Sequence, residues 1–159
     1  MLITVSGVPS GFAPGQTVAM PKTTKSGTPI KDELPTPVQR SEEKAQRTFA
    51  KTYDAAMDSY DDEGRANATA YASLKHTHEK VGDHWEAKDE PGPSDDRAEK
   101  GGLNDEDSAG GVDAKATKKH LLELARRLDV AGRSSMTKDE LVKAIQKAND
   151  KANEKARQA

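Results

Sequence analysis

Residues 41–60 read SEEKAQRTFAKTYDAAMDSY, and their apolar side chains recur with the period of an α-helix. The recurring residues, spaced by four, four, four and three positions, are Ala45, Phe49, Tyr53, Met57 and Tyr60. Such spacing places side chains on one helical face, so the stretch predicts an amphipathic helix. Ser41 is expected to be its N-cap, with Glu42 and Glu43 in the first turn.

A second helix is predicted after Gly64. Tyr71, Leu74, His78 and Val81 repeat at three, four and three positions, and the helix is expected to stop at Gly82. The following residues, DHWEAK (83–88), predict a short extended or irregular segment whose tryptophan covers the two helices. Together the two periodic stretches predict an antiparallel helical hairpin.

Charge is distributed unevenly along the 159 residues. Residues 1–85 carry 10 Lys and Arg against 11 Asp and Glu, residues 86–113 carry 3 against 10, and residues 114–159 carry 12 against 6. The middle part has many Gly, Pro and acidic residues and few large apolar ones, so we expect a disordered acidic linker. Residues 1–34 are dense in turn-forming residues and are expected to be mostly disordered.

Two further helices are predicted near the C-terminus. Thr117 can cap the first, whose apolar residues are Leu121, Leu122, Ala125 and Leu128. Thr137 and Glu140 have the spacing of a capping box for the second, whose apolar residues are Leu141, Ala144, Ile145 and Ala148. The residues after this helix lack an apolar face and are expected to fray into solvent.

Composition excludes several functional classes. The absence of cysteine rules out disulfides, zinc–thiolate sites and a cysteine nucleophile. No stretch approaches the roughly 18 apolar residues of a membrane span, and the N-terminus lacks the basic region of a signal peptide, so we expect a cytoplasmic protein without membrane insertion. We find no phosphate-binding loop or nucleophile elbow, and expect no apolar concavity in so small a core. We therefore expect no enzymatic activity, no catalytic residues and no cofactor.

A metal site is also not expected. His76 and His78 lie two positions apart, which places them on different faces of a helix, whereas ligands on a helix are usually three or four apart. His78 is instead expected to be a partly buried core residue. The acidic run DDEG (61–64) lacks the ligand spacing of an EF-hand.

The first half of the chain resembles the ChaB family of small bacterial proteins. The resemblance is carried by ELPTPVQRSEEKAQRTFAKTYDAAMDSY, ATAYASLKHTHEK and HWEAK, and it covers about residues 20–88. MPKTTKSG, from Met20, is similar to the start of that family, so residues 1–19 are interpreted as an upstream extension. This chain departs from the family at TPVQRS, where little beyond Val38 is apolar. The family is described as a cation transport regulator, which implies a regulatory role or an unidentified protein partner.

Residues of about 115–149 resemble the helical N-terminal domain of transcription termination factor Rho, which is similar to the SAP motif. LLELARRLDV and MTKDELVKAI carry this resemblance. It implies weak binding to the DNA or RNA backbone. The candidate nucleic-acid-binding residues are Lys118, Lys119, Arg126, Arg127, Arg133, Ser134, Ser135, Thr137 and Lys138. In the alternative interpretation, the Lys and Arg side chains only keep the two helices solvated, or they fold back onto the acidic linker.

The fold class predicted is therefore mostly α, with a short β element possible in the first module. The expected organisation is an N-terminal extension (1–34), a ChaB-like helical module (35–88), an acidic disordered linker (89–113), a Rho- or SAP-like helical module (114–150) and a frayed tail (151–159). The predicted function is that of a non-enzymatic bacterial or phage adaptor that binds nucleic acid through its C-terminal module. The alternative is a cation transport regulator or protein-interaction protein without nucleic-acid binding.

Overall fold

The described part of the chain is mostly helical and contains one two-stranded β-hairpin, which confirms the predicted fold class. The computed structural model describes residues 21–103 and 108–158. The helices and strands are α1 (Thr36–Gln39), α2 (Glu43–Tyr60), α3 (Glu63–Thr77), β1 (His78–Val81), β2 (His84–Ala87), α4 (Asp96–Glu99), α5 (Lys118–Arg127) and α6 (Lys138–Gln158). Short 3-10 turns occur at Lys31–Glu33 and Arg133–Ser135.

Helices α2 and α3 pack against each other as the predicted helical hairpin. Ala45, Phe49 and Tyr53 of the periodic face are buried in the first hydrophobic core, and Met57 packs against it. Tyr60, at the end of α2, is 42% exposed. The next helix is capped by Asp62, whose carboxylate accepts a 2.9 Å hydrogen bond from the Arg65 backbone N–H. Local spacing therefore predicted most of the buried face of α2.

Ser41 does not cap α2, which corrects the prediction. Glu42 occupies the N-cap position. Ser41 Oγ instead donates to the Pro37 carbonyl oxygen at 2.7 Å and accepts from the backbone N–H of Trp85 at 2.8 Å. The hydroxyl thus ties α1 to β2. Val38 is fully buried, so the four-residue helix α1 forms around a single large apolar side chain.

The second predicted helix is shorter than its apolar period suggested. Helix α3 ends at Thr77, and His78–Val81 forms a strand that pairs antiparallel with His84–Ala87. Gly82 lies at the turn with φ +68°, a conformation that favours glycine. The predicted helix ends early because a spacing of three between His78 and Val81 fits one face of a helix and also fits a strand that is buried on both faces. Trp85 covers the helix pair as expected, with its ring centroid 6.2 Å from that of Tyr71.

A second hydrophobic core lies between α5, α6 and the hairpin. Leu121, Leu124, Leu141 and Ile145 are buried there together with Val81 of β1. Both predicted caps of this region are confirmed. Thr117 accepts from the His120 N–H at 3.2 Å, while Thr137 and Glu140 form a reciprocal pair of hydrogen bonds at 3.2 and 3.3 Å.

Helix α6 continues well past the predicted module boundary at residue 150, and Asn149, just before that boundary, binds the hairpin. The Asn149 side chain is 1% exposed, accepts from the Gly82 N–H at 2.6 Å and donates to the Lys80 carbonyl oxygen at 2.9 Å. The expected frayed tail, residues 151–159, is instead helical as far as Gln158, and Ala159 lies outside the described residues. One polar side chain thus joins the C-terminal helix to the turn of the hairpin.

The structure also differs from the expected disordered linker, over residues 89–103 and 108–113. Asp95 is 5% exposed, accepts from the Ala98 and Ala109 N–H groups at 2.8 and 2.9 Å, and pairs with Lys75 at 3.3 Å. Val112 is fully buried in the second core. This segment is ordered because its carboxylates find internal donors, a source of stability that an estimate from apolar composition omits.

The expected disorder of residues 1–34 is corrected over residues 21–34. The Asp54 carboxylate accepts from the Lys22 and Thr23 N–H groups at 2.8 and 2.9 Å, and Leu34 is buried in the first core. The Lys22 ammonium lies 4.2 Å from the centroid of the Tyr53 ring. Residues 1–19, interpreted as an upstream extension, lie outside the described residues.

We predict that Asn149→Ala lowers the free energy of unfolding by about 2–3 kcal/mol, because it leaves two backbone polar groups at the hairpin turn without a partner. Urea denaturation followed by circular dichroism measures the change. The matched control is Asn153→Ala, one turn later in the same helix, because the Asn153 carboxamide oxygen has no hydrogen-bond partner within the described chain. Equal effects of the two variants would contradict the proposed role of Asn149.

Acidification tests the order of the acidic segment. Burial raises the pKa of Asp95, but hydrogen bonds from Ala109 and Ala98 and the charge of Lys75 outweigh it and hold the pKa below its ordinary value. A depressed folded-state pKa contributes stability that is present above the unfolded pKa, about 3.9, and is lost as pH falls below it.

We therefore expect the urea midpoint of the native protein to fall below about pH 4 and the Asp95→Asn variant to lose less over the same interval. Asp96→Asn, at the exposed neighbouring carboxylate, is the control and should follow the native profile. A native-like profile for Asp95→Asn would show that the segment is not held by this carboxylate.

Candidate nucleic-acid interface

The nine candidate residues lie on α5, the Arg133–Ser135 turn and the start of α6, and they form two groups. Lys118 and Lys119 begin α5, about 12 Å along the helix axis from Arg126 near its end. The turn packs against α5 and leads into α6. The residues at this end are Arg126, Arg127, Arg133, Ser134, Ser135, Thr137 and Lys138. The structure therefore brings seven candidates to the turn end and leaves two at the opposite end.

Two of the candidate arginines already have partners in the protein. Arg127 donates from both terminal nitrogens to the two oxygens of Glu86 in β2, at 3.1 and 2.7 Å. This pair raises the pKa of Arg127 and holds that of Glu86 below its ordinary value. Arg133 is half-buried and donates to the Val130 carbonyl oxygen at 3.1 Å. A phosphate would have to compete with these contacts.

The N-terminus of α6 is poorly suited to a phosphate. Helix N-termini favour anions, but Thr137 and Glu140 already satisfy each other's backbone N–H groups here. Asp139 and Glu140 also place two carboxylates in the first turn. Ser135 donates its hydroxyl to the Gly132 carbonyl oxygen at 3.0 Å, and Ser134 is exposed. Phosphate contacts at this end would therefore rely on basic side chains.

Four candidates are exposed and make no ion pair with any described residue: Lys118, Lys119, Arg126 and Lys138. Lys119 and Arg126 lie seven residues apart and share one helical face, with the exposed Glu123 between them. Net positive charge on this face is thus smaller than the count of basic residues suggests.

The described acidic segment does not cover these four cations. Asp113 pairs with the buried ammonium of Lys88 at 3.4 Å, and Asp95 pairs with Lys75. The segment does contact one basic residue of the C-terminal part, Lys115. Its ammonium lies 3.8 Å from the Asp96 carboxylate and makes a short contact with Glu99. Over the described residues, the segment is held by other parts of the protein.

Sequence reasoning missed the pair formed by Glu79 and His120. Glu79 is 4% exposed and its oxygens lie 2.8 and 3.0 Å from His120 Nε2. Burial raises the pKa of Glu79, while the hydrogen bond and charge of His120 act in the opposite direction. The two residues are 41 positions apart, so no local pattern could have joined them.

His78 and His84 have different partners in the fold. His78 is fully buried rather than partly buried, with Nε2 2.8 Å from Glu42. His84 contacts Asp83 and Glu86 at 3.0 and 2.8 Å. Within residues 21–103 and 108–158, no three acidic or histidine side chains are placed to hold a metal ion. In the same ranges, no helix is both long and apolar enough to cross a membrane.

Comparison with known proteins identifies one part of the chain. No curated protein and no solved structure matches the chain. The C-terminal helices lie outside the family match, so their resemblance to Rho and SAP modules stays a hypothesis. Residues 34–88, which comprise α1, α2, α3 and the β-hairpin, match the ChaB family.

Proposed function

We propose that the protein is a non-enzymatic adaptor or regulator of the bacterial or phage cytoplasm that binds nucleic acid weakly through the phosphate backbone. The observation that carries this proposal is the set of four exposed cations on the C-terminal helices, which no described acidic residue pairs with. The resemblance of these helices to Rho and SAP modules supports the same interpretation. The ChaB-like part would then supply the regulatory or protein-binding role.

The contacts proposed are electrostatic and carry no base information. Lysine and arginine side chains that neutralise phosphates release counterions, so affinity depends steeply on salt. Arg126 and Lys138 lie at the turn end of the helix pair, and Lys118 and Lys119 extend the contact along the backbone. Glu123 and Asp139 lie close to these cations in sequence and oppose them, so we expect weak binding at physiological salt.

The alternative is a ChaB-type cation transport regulator or protein-interaction protein that does not bind nucleic acid. The family match over residues 34–88 favours it, because that match includes the hairpin on which the C-terminal helices pack. In this alternative the basic residues only solvate α5 and α6.

A salt titration of the full chain on a short DNA duplex separates the two functions. With about four phosphate contacts, the logarithm of affinity should fall with the logarithm of salt at about −0.9 per contact, so raising salt from about 50 to 200 mM should cost roughly a hundredfold. Fluorescence anisotropy of labelled duplexes of unrelated sequence measures both affinity and specificity. Absence of binding at low salt, or an affinity indifferent to salt, would favour the alternative.

The double variant Arg126→Gln and Lys138→Gln should weaken binding to all sequences and reduce the magnitude of the salt slope by about two contacts. The matched control, Lys25→Gln with Lys44→Gln, removes the same charge from exposed positions outside α5 and α6. If both pairs reduced the slope equally, the effect would reflect net charge rather than this interface.

Glu86→Gln should strengthen duplex binding by about two- to fivefold, because it frees the Arg127 guanidinium to add up to one phosphate contact. The control is Glu43→Gln. In the native protein the Glu43 carboxylate lies 2.6 Å from the guanidinium of Arg47, which is also on α2. The control variant removes the same charge but releases no candidate residue. An equal gain for both variants, or none for Glu86→Gln, would contradict a role for Arg127.

A further inference from the structure

A cavity of about 310 Å³ opens between α3, the β-hairpin and the segment that follows α4. This differs from the expectation that so small a core would contain no apolar concavity. The described side chains around it include the aromatic rings of Tyr71 and Trp85 and the small residues Ala72 and Ala98. Its volume lies at the lower end of the range of small-molecule sites, about 300–1,000 Å³.

Two glycines bring the chain close to the walls of this cavity. Gly102 has φ +85°, and a Cβ there would lie 2.5 Å from the Ala68 carbonyl oxygen. Gly111 has φ +97°, and a Cβ there would lie 2.7 Å from the Trp85 ring and 2.8 Å from Lys80 Cβ. Gly102 therefore packs tightly against α3, and Gly111 packs tightly against the β-hairpin.

Lys80 is among the residues that line the cavity. Its side chain is half-buried and makes no hydrogen bond or ion pair with another side chain among the described residues. Burial lowers the pKa of Lys80, and the negative charge of Asp150 opposes that effect. A desolvated ammonium without a partner is unfavourable, and an anion bound beside it would compensate the cost.

The other polar groups of the lining narrow the class of ligand. Lys75 already donates to Asp95 and Ser108, at 3.3 and 2.9 Å, and Arg97 also makes an interaction of its own. Among the described lining residues, Lys80 is therefore the cation without a side-chain hydrogen bond or ion pair, which suits a monoanion better than a phosphate dianion. Trp85 is 4% exposed, and its indole N–H finds no acceptor in the described parts of the chain.

We propose that this cavity binds a small aromatic carboxylate, with its ring against Tyr71 and Trp85 and its carboxylate paired with the Lys80 ammonium. The half-buried ring of Tyr71 offers a stacking or edge contact to a flat ring, the nearly buried ring of Trp85 borders the same space, and the small residues leave room for the ligand. This site is separate from the cations of the proposed nucleic-acid interface, and the two proposals can fail independently.

Trp85 provides a direct readout because it is the only tryptophan in the chain. Its single indole N–H resonance can be followed in a ¹H–¹⁵N correlation spectrum while benzoate is added to the full-length protein. Benzamide, the neutral isostere, is the matched ligand control. We expect saturable shifts of the Trp85 indole with benzoate and an affinity about tenfold lower for benzamide.

Lys80→Met retains the length of the side chain but removes its charge, so it should weaken benzoate binding about tenfold and leave benzamide unchanged. Lys44→Met, at an exposed position on α2, is the control and should bind both ligands like the native protein. If Lys80→Met does not fold, the comparison of benzoate with benzamide on the native chain still tests whether the cavity prefers the carboxylate. Equal affinities for the two ligands, no indole shift at about 10 mM benzoate, or native benzoate affinity in a folded Lys80→Met variant would overturn the proposal.

Discussion

The hydrogen bonds between the Asn149 side chain and the hairpin turn are the constraint on which the arrangement of the two halves depends. A buried carboxamide is costly unless both its donor and its acceptor are satisfied. Here the oxygen accepts from Gly82 and the nitrogen donates to Lys80, in a turn 67 and 69 residues away. These bonds specify one position of α6 on the hairpin, and burial of Val81 in the second core stabilises that position.

Two side-chain pairs extend the same interface along both strands. Glu79 of β1 contacts His120, and Glu86 of β2 contacts Arg127, so each strand contributes a carboxylate to α5. The residues that match ChaB therefore form part of the surface on which the C-terminal helices pack. A ligand or partner that changed the conformation of the hairpin would therefore affect both the ChaB-like helices and the C-terminal helices. Such coupling is a physical basis for the proposed adaptor role.

Local sequence patterns predicted those features that depend on neighbouring residues. The buried face of α2, the Thr117 cap and the Thr137–Glu140 capping box each depend on spacings of three or four. The end of α3 was missed because apolar spacing alone did not distinguish its predicted last turn from β1. The contacts of Asp95 and of Asn149 were missed because their partners are distant in sequence. For the candidate site, the exposure of Lys119 and Arg126 follows from the helical period, whereas the loss of Arg127 to Glu86 required the fold.

The central claim is that the ChaB-like helices and the C-terminal helices form one body rather than two tethered modules. Backbone ¹⁵N relaxation of the full chain tests this directly, since rigid parts of one body tumble together. The account predicts that amides of α2 and α3 and those of α5 and α6 give the same rotational correlation time. A distinctly shorter correlation time for α5 and α6 would contradict it and restore the picture of independent modules on a flexible linker.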